Sequence, residues 1–423
     1  MAQAVSAPSD FGPPSLGARR ALPLGFLFFR RAKAGMPLWE IVGGADKGGV
    51  LVREGQALGS PATKDRLSTG ATVEELELVG ERLHYKLVEG TGTGPAEGWI
   101  SIKVSGKDLA VPKEEDVEIG PPGEAGPVEV DEDLKKKIEA DHGKLKDKFN
   151  EYAMKYKVFK YPLDNCKLRI FCFHNAGSAE SNYTAPKTPF TEWVKEAGNV
   201  EIVALDFPGR DKLSKATKHT STETLAPELL SVVLDKVKDG VPYLVWGHSV
   251  GTWVAFEWLM LIRKCGLPSP KAAFLNGFPA PHMPVAMRPW RRSNRLSDAQ
   301  MKEELMNWDS GHFTGAGKVV FDEPNWANTY LPMMRADFQL YDEYKFKHTG
   351  APKFDFPIHA WHMGGEHFNK KDMIEMWKDW TSSTFDHCEM AKMGHLTCFY
   401  NPEYKKEFFT KVVENMKTYH AAL

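Results

Sequence analysis

Val245-Trp246-Gly247-His248-Ser249-Val250-Gly251-Thr252 closes an apolar run with a Gly-x-Ser-x-Gly pentapeptide. Pro242-Tyr243-Leu244-Val245-Trp246 before it has a strand pattern, and Trp253-Val254-Ala255-Phe256-Glu257-Trp258-Leu259 after it a helix pattern. A serine raised on a tight strand-to-helix turn takes strained backbone angles, and Gly247 and Gly251 remove side chains that would collide there. The pentapeptide recurs by chance in unrelated chains. The strand before it and the helix after it make Ser249 a candidate nucleophile.

From about Lys160 onward the same texture repeats. Strand candidates are 168–173, 200–205, 243–246, 272–276, 358–363 and 385–390, with helix patterns at 222–237, 254–264, 370–380 and 402–419 between or after them. This alternation predicts an α/β fold with a mostly parallel sheet covered on both faces. In such sheets the site lies at the carboxyl ends of the strands, where Ser249 falls. A helical insert, about 288–345, interrupts the alternation and is expected to form a lid.

Residues 36–110 read differently. Short alternating runs (39–42, 49–53, 72–79, 83–88 and 98–102) separated by glycine turns predict a small all-β barrel, its Gly98-Trp99-Ile100-Ser101 ending similar to SH3-like domains. It holds no catalytic grouping, so docking or spacing is its expected role. Residues 111–130, rich in Pro, Gly and Glu, form a linker, 131–160 a charged helix, and 161–423 the α/β domain. Residues 1–35 carry Arg19, Arg20, Arg30 and Arg31 around an apolar patch. They are either a disordered tail or an organelle transit peptide; no clear small-residue cleavage site favours secretion.

The bulk numbers exclude several classes. A chain of 423 residues with 42% hydrophobic content builds two cores, and a net charge of −2 gives no field for nucleic acid. No apolar run reaches membrane-spanning length. The five cysteines are scattered and odd in number, which suits reduced thiols in a cytoplasmic protein, an organelle staying open if the tail is a transit peptide. No cofactor or metal is expected.

A serine nucleophile needs a base in contact with it and an acid to orient that base, in the chain order Ser, acid, His for this type of elbow. His395, in Lys392-Met393-Gly394-His395-Leu396, follows a strand pattern and precedes the terminal helix, whereas His359, His362 and His387 fall inside strand patterns. His248, beside the serine, is expected to point its ring elsewhere. For the acid, Glu366 stands immediately after Met363-Gly364-Gly365, and Asp372 is the alternative, although it also suits the first turn of a helix. Oxyanion amides are expected from Val250 and from Asn175 or Ala176 in the loop 173–178.

Together these segments resemble the type II thioesterases of polyketide and non-ribosomal peptide synthesis, which have the α/β-hydrolase fold. The resemblance covers roughly 168 to the C-terminus. It rests on Phe171-Cys172-Phe173-His174-Asn175-Ala176-Gly177, Phe207-Pro208-Gly209-Arg210, the serine elbow, Ala280-Pro281-His282 and Leu331-Pro332-Met333-Met334-Arg335-Ala336-Asp337. Two departures stand out: His174 where the family has Pro, and Glu366 where it has Asp, an alignment fixed by counting back from Trp377. The resemblance implies hydrolysis of acyl or aminoacyl thioesters on an acyl- or peptidyl-carrier protein bearing phosphopantetheine. It implies a Ser249–His395–Glu366 triad, and a synthase partner is possible through the β domain. Lid residues Met301, Met306, Trp308, Phe313, Trp326, Met333 and Met334 suit an acyl chamber or the lid's own core, and Arg288, Arg291, Arg292 and Arg295 suit either carrier steering or ordinary surface charge. A carboxylesterase or lipase, an acyltransferase, and a non-catalytic scaffold are the competing readings.

Overall fold

The computed structural model describes residues 37–113, 120–153 and 162–423. It divides into two units, Met1–Glu115 and Asp116–Leu423. The arginine-bearing tail and the end of the charged helix lie outside the described residues.

In the first unit the alternating runs pair as an antiparallel sheet. Leu38–Ile41 (β1), Thr72–Val79 (β2), Arg82–Leu87 (β3) and Glu97–Ser101 (β4) are followed by a hairpin, Lys103–Val104 (β5) with Lys107–Asp108 (β6), and by Ala110–Lys113 (β7). The sheet order is β4-β3-β2-β1-β7, so β7 runs into the stretch read as linker. Trp39, Ile41, Val73, Leu83, Tyr85 and Ile100 point inward from alternate positions to make its core. The strand expected at 49–53 is absent: only Val50 and Arg53 form isolated bridges. Gly49 takes φ 122°, far from extended backbone, and a Cβ there would overlap the Leu67 carbonyl.

The second unit opens with Glu132–Leu145 (α1), capped by the Asp131 side chain, and Phe149–Tyr152 (α2). Its sheet begins with Leu168–Phe173 (β8), followed by Ser181–Thr184 (α3), Pro189–Ala197 (α4) and Val200–Leu205 (β9). Thr222–Lys238 (α5), Tyr243–His248 (β10), Val250–Lys264 (α6) and Ala272–Asn276 (β11) come next. The lid holds Asp298–Trp308 (α7), Ser310–Thr314 (α8) and Leu331–Asp342 (α9). Ile358–His359 (β12), His362–Met363 (β13), Lys371–Glu375 (α10), Phe385–Asp386 (β14), Glu389–Met390 (β15), Thr397–Tyr400 (α11) and Pro402–Ala421 (α12) complete it.

Every residue of β8, β9, β10 and β11 is buried. These apolar runs alternate between two cores. Phe171, Val203, Val245 and Leu275 face α5 and α6, whereas Ile170, Ile202, Trp246 and Phe274 face α4 and α12. Both faces are therefore covered, as a parallel sheet requires. The order is β14-β12-β11-β10-β8-β9, all neighbours parallel. After β8 the chain moves to one edge, and after β10 to the other. The carboxyl ends of β8 and β10 thus flank the point where strand order reverses, the usual crevice for a ligand.

The runs at 358–363 and 385–390 are each two short strands rather than one. Between β12 and β13, Trp361 turns to Asn276 Oδ1 and to the Gly277 amide, which breaks the ladder; β13 and β15 then pair separately. Among the described residues no helix is long and apolar enough to cross a membrane, and none of the five cysteines is bridged.

Candidate active site

Ser249 sits between β10 and α6 with φ 57° and ψ −136°, a conformation that costs a non-glycine residue about 1–3 kcal/mol. The turn is tight because its glycines permit it. A Cβ on Gly247 would lie 2.7 Å from the Gly251 carbonyl oxygen, and one on Gly251 would overlap the Phe173 carbonyl at the end of β8. The elbow thus packs directly on the neighbouring strand. Val250 is the first residue of α6, where amides have no partner inside the helix.

His395 Nε2 lies 2.7 Å from Ser249 Oγ, and His395 Nδ1 lies 2.8 Å from Glu366 Oε1. The three side chains come from the ends of β10, β13 and β15, and all are buried. Glu366 Oε1 also accepts from Asn369 Nδ2, whose second hydrogen bond goes to the Gly277 carbonyl at 2.9 Å. Burial raises the Glu366 carboxyl above its ordinary range, and His395 pulls it back. Asp372, the alternative acid, is exposed in the first turn of α10. The loop that carries Glu366 is closed by its own amide, which donates to the Met363 carbonyl.

The loop after β8 is held tightly. His174 explains its own presence: Nδ1 contacts the Asn175 carbonyl at 2.8 Å, and the Phe207 amide donates to Nε2 at 3.3 Å. These partners assign the neutral tautomer with the proton on Nδ1, and burial keeps the ring far below its ordinary pKa. The imidazole thereby ties this loop to the Phe207–Arg210 turn. Asn175 directs its side chain to Asn182, at 2.6 Å, whereas Ala176 lines the cavity beside Ser249.

That cavity has a volume of about 20 Å³ and is walled by lid residues Leu305, Trp308, Phe313, Met334, Phe338 and Tyr341. Of the lid residues singled out in the sequence, Trp308, Phe313 and Met334 reach it; Met301 and Trp326 are buried in the core to which the lid contributes. The arginines near the lid's start are engaged internally. Arg288 donates to the Tyr344 carbonyl, Arg291 pairs with Glu304 and Arg292 with Glu343.

Three residues of the centre escaped the sequence. His248 does not point away from the site: its Nε2 donates to the His395 carbonyl at 2.7 Å, and burial pushes its pKa down to about 3. Asp309 and Asp337, both in the lid, bond to the loops that carry His395 and Ala176. The available signal was weak: Asp309 before Ser310-Gly311 reads as a helix cap, and Asp337 lies in a motif without a visible partner. Among the described residues no group of three or more His, Cys, Asp or Glu is arranged to hold a metal ion.

The thioesterase domain family model matches residues 168–409. The gramicidin S biosynthesis protein GrsT of Aneurinibacillus migulanus is 27% identical over 230 residues, 52% of this chain and 80% of that one. The medium-chain S-acyl fatty acid synthase thioesterase of Rattus norvegicus is 23% identical over 257 residues, 60% of this chain and 91% of that one. Among solved structures, RedJ, a thioesterase of the prodiginine pathway in Streptomyces coelicolor, superposes with a TM-score of 0.50 at 21% identity, covering 58% and 85% of the two chains. That likeness shows the α/β-hydrolase fold.

Proposed function

The chain belongs to the thioesterase domain family, and on that premise we propose that it hydrolyses acyl or aminoacyl thioesters carried on the phosphopantetheine arm of a carrier protein, releasing or editing chains during their assembly. The observation that carries this reading is the contact series Ser249 Oγ, His395 Nε2, His395 Nδ1 and Glu366 Oε1, at 2.7 and 2.8 Å.

Ser249 attacks the thioester carbonyl as His395 Nε2 takes its proton. The C–S bond breaks, the thiol leaves with that proton, and the acyl group stays on Ser249. Water then gives its proton to His395 and its oxygen to the acyl carbon, freeing the acid and restoring the serine. Glu366 holds the ring and offsets its positive charge. The amides of Val250 and Ala176 receive the developing oxyanion; the position of Ala176 on the cavity wall beside Ser249 favours it over Asn175. Arg291 and Arg292 are paired with Glu304 and Glu343 inside the lid, which lowers the net charge they offer for steering a carrier.

The test is release of acyl groups from an acyl-loaded carrier protein. Wild type is expected to release them and Ser249→Ala to be at least about 10³-fold slower, the loss typical of a deleted nucleophile. An equal rate in both proteins would sink the assignment. Faster turnover of simple oxygen esters than of carrier thioesters would move the reading to an esterase.

A further inference from the structure

The lid supplies none of the reacting groups, yet it reaches into both loops that do. Asp309, between α7 and α8, accepts the Leu396 amide at 2.7 Å and the Thr397 amide at 2.8 Å through Oδ2, while Oδ1 accepts the His312 amide at 2.9 Å. Asp337, in α9, accepts the Gly177 amide at 2.7 Å and pairs with Arg210, which in turn donates to the Ser178 carbonyl at 2.6 Å. Both carboxylates are buried, at 6% and 2% exposure.

Each loop presents a glycine where the lid arrives. A Cβ on Gly394 would lie 2.7 Å from Asp309 Oδ2, and one on Gly177 would overlap Met334 of α9. The approaches are therefore as close as a main chain allows, and in both places the sequence leaves out the atom that would prevent them.

The grip on His395 is specific in one further way. The His395 carbonyl and the Leu396 amide belong to the same peptide plane. His248 holds the oxygen end of that plane and Asp309 the N–H end. With both ends fixed, rotation of the plane about the His395 Cα is blocked, and the imidazole is held toward Ser249. Hydrogen bonds to a buried carboxylate are the stronger kind, so the lid end of this grip is not incidental.

We infer that Asp309 and Asp337 are positioning residues through which the seated lid assembles the catalytic centre: Asp309 sets the loop of the base, and Asp337 the loop of the oxyanion amides. The wall of the acyl chamber and the reacting geometry then form together and fail together. This inference rests on the roles proposed above for Ser249, His395 and Ala176.

The test is the rate at which a fluorophosphonate labels Ser249, expressed per folded molecule and measured below the melting temperature of each variant. Displacing a reacting group by about 1 Å costs about 10²-fold, so Asp309→Ala is expected to label about 10- to 100-fold more slowly than wild type. Asp309→Asn keeps an oxygen for the Leu396 and Thr397 amides but loses the charge and sets its NH2 against the His312 amide, so it is expected to slow labelling less than Asp309→Ala does. Gly394→Ala, which pushes the loop off Asp309, is expected to slow labelling as well, and it carries the test if Asp309→Ala does not fold.

A lower melting temperature with an unchanged labelling rate per folded molecule, in both Asp309→Ala and Gly394→Ala, would overturn the inference and leave the nucleophile intact. Failure of wild type to label, or equal labelling of Ser249→Ala, would overturn the triad first and this inference with it.

Discussion

The two units bury different things. Among the described residues, the β unit buries one polar side chain, Thr72, and otherwise packs Trp39, Ile41, Val73, Tyr85 and Ile100 against one another. The hydrolase unit buries carboxylates, imidazoles and guanidinium groups: Glu201 against Arg169, Asp337 against Arg210, Glu257 against His348, and Glu366 against His395. A domain held by apolar contacts tolerates exchange of like for like. A domain that takes charges out of water depends on each partner, because a buried charge left alone costs far more than the pair returns. The second kind of interior is where chemistry can be done, and its stability is correspondingly tied to single residues.

Replacing Glu366 is expected to have the largest effect. Glu366→Gln presents an amide where His395 needs a carboxylate, and turnover of a carrier thioester is expected to fall by about 10²- to 10⁴-fold with the fold kept. Measured kcat near that of wild type would return the search for the acid to Asp372. Next in size is Asp337→Ala, which leaves Arg210 buried without its carboxylate and is expected to cost about 3–5 kcal/mol in denaturant unfolding. If that variant unfolds like wild type, the contrast between the two interiors fails.

Smaller, and confined to the β unit, is Ile100→Ala. It removes buried methylene and methyl groups and is expected to destabilise that unit by about 2–4 kcal/mol, with kcat for a soluble thioester unchanged. A matching loss of turnover would show that the apolar unit also serves the reaction.

The last effect is graded by pH and concerns Asp342, buried in α9 with its pKa raised from the ordinary 3.8 to about 7, chiefly by desolvation. A carboxyl with a raised folded-state pKa adds stability that is full below its ordinary value and is lost as pH rises through about 7. Asp342→Asn is therefore expected to gain in unfolding free energy over wild type as pH rises from about 4 to about 7, by at most about 1.4 kcal/mol per pH unit, and to level off above that. A difference that does not grow with pH would mean that Asp342 is not the group that titrates.

How much of this was legible in the sequence depended on the range of the contacts. The strands β8 to β11 were readable because each is a mainly apolar run, broken only by Arg169 in β8, Glu201 in β9 and polar residues at the ends of β10 and β11, and the elbow because Gly247 and Gly251 sit next to the strain they relieve. Chain order led to His395, and position after a strand led to Glu366. What stayed hidden was pairwise and distant. Asp309 meets Leu396 across 87 positions, and Asp337 meets Gly177 across 160. No periodicity joins such residues, and a buried aspartate in a lid reads from the sequence as a helix cap. The run at 49–53 misled for the opposite reason: its alternation was sound, but Gly49 leaves extended backbone at φ 122° and only Val50 and Arg53 find bridge partners.

The cavity beside Ser249, at about 20 Å³, has room for about one water molecule. An acyl group enters only as Trp308, Met334 and Phe338 move aside, so arrival at the protein and arrival at the serine are separate events in time. That opening step precedes the acylation of Ser249 by any substrate. Where that opening is slower than the chemistry, short and long acyl groups offered at saturating concentration converge on one ceiling, fixed by the side chains that must part rather than by the thioester being cut.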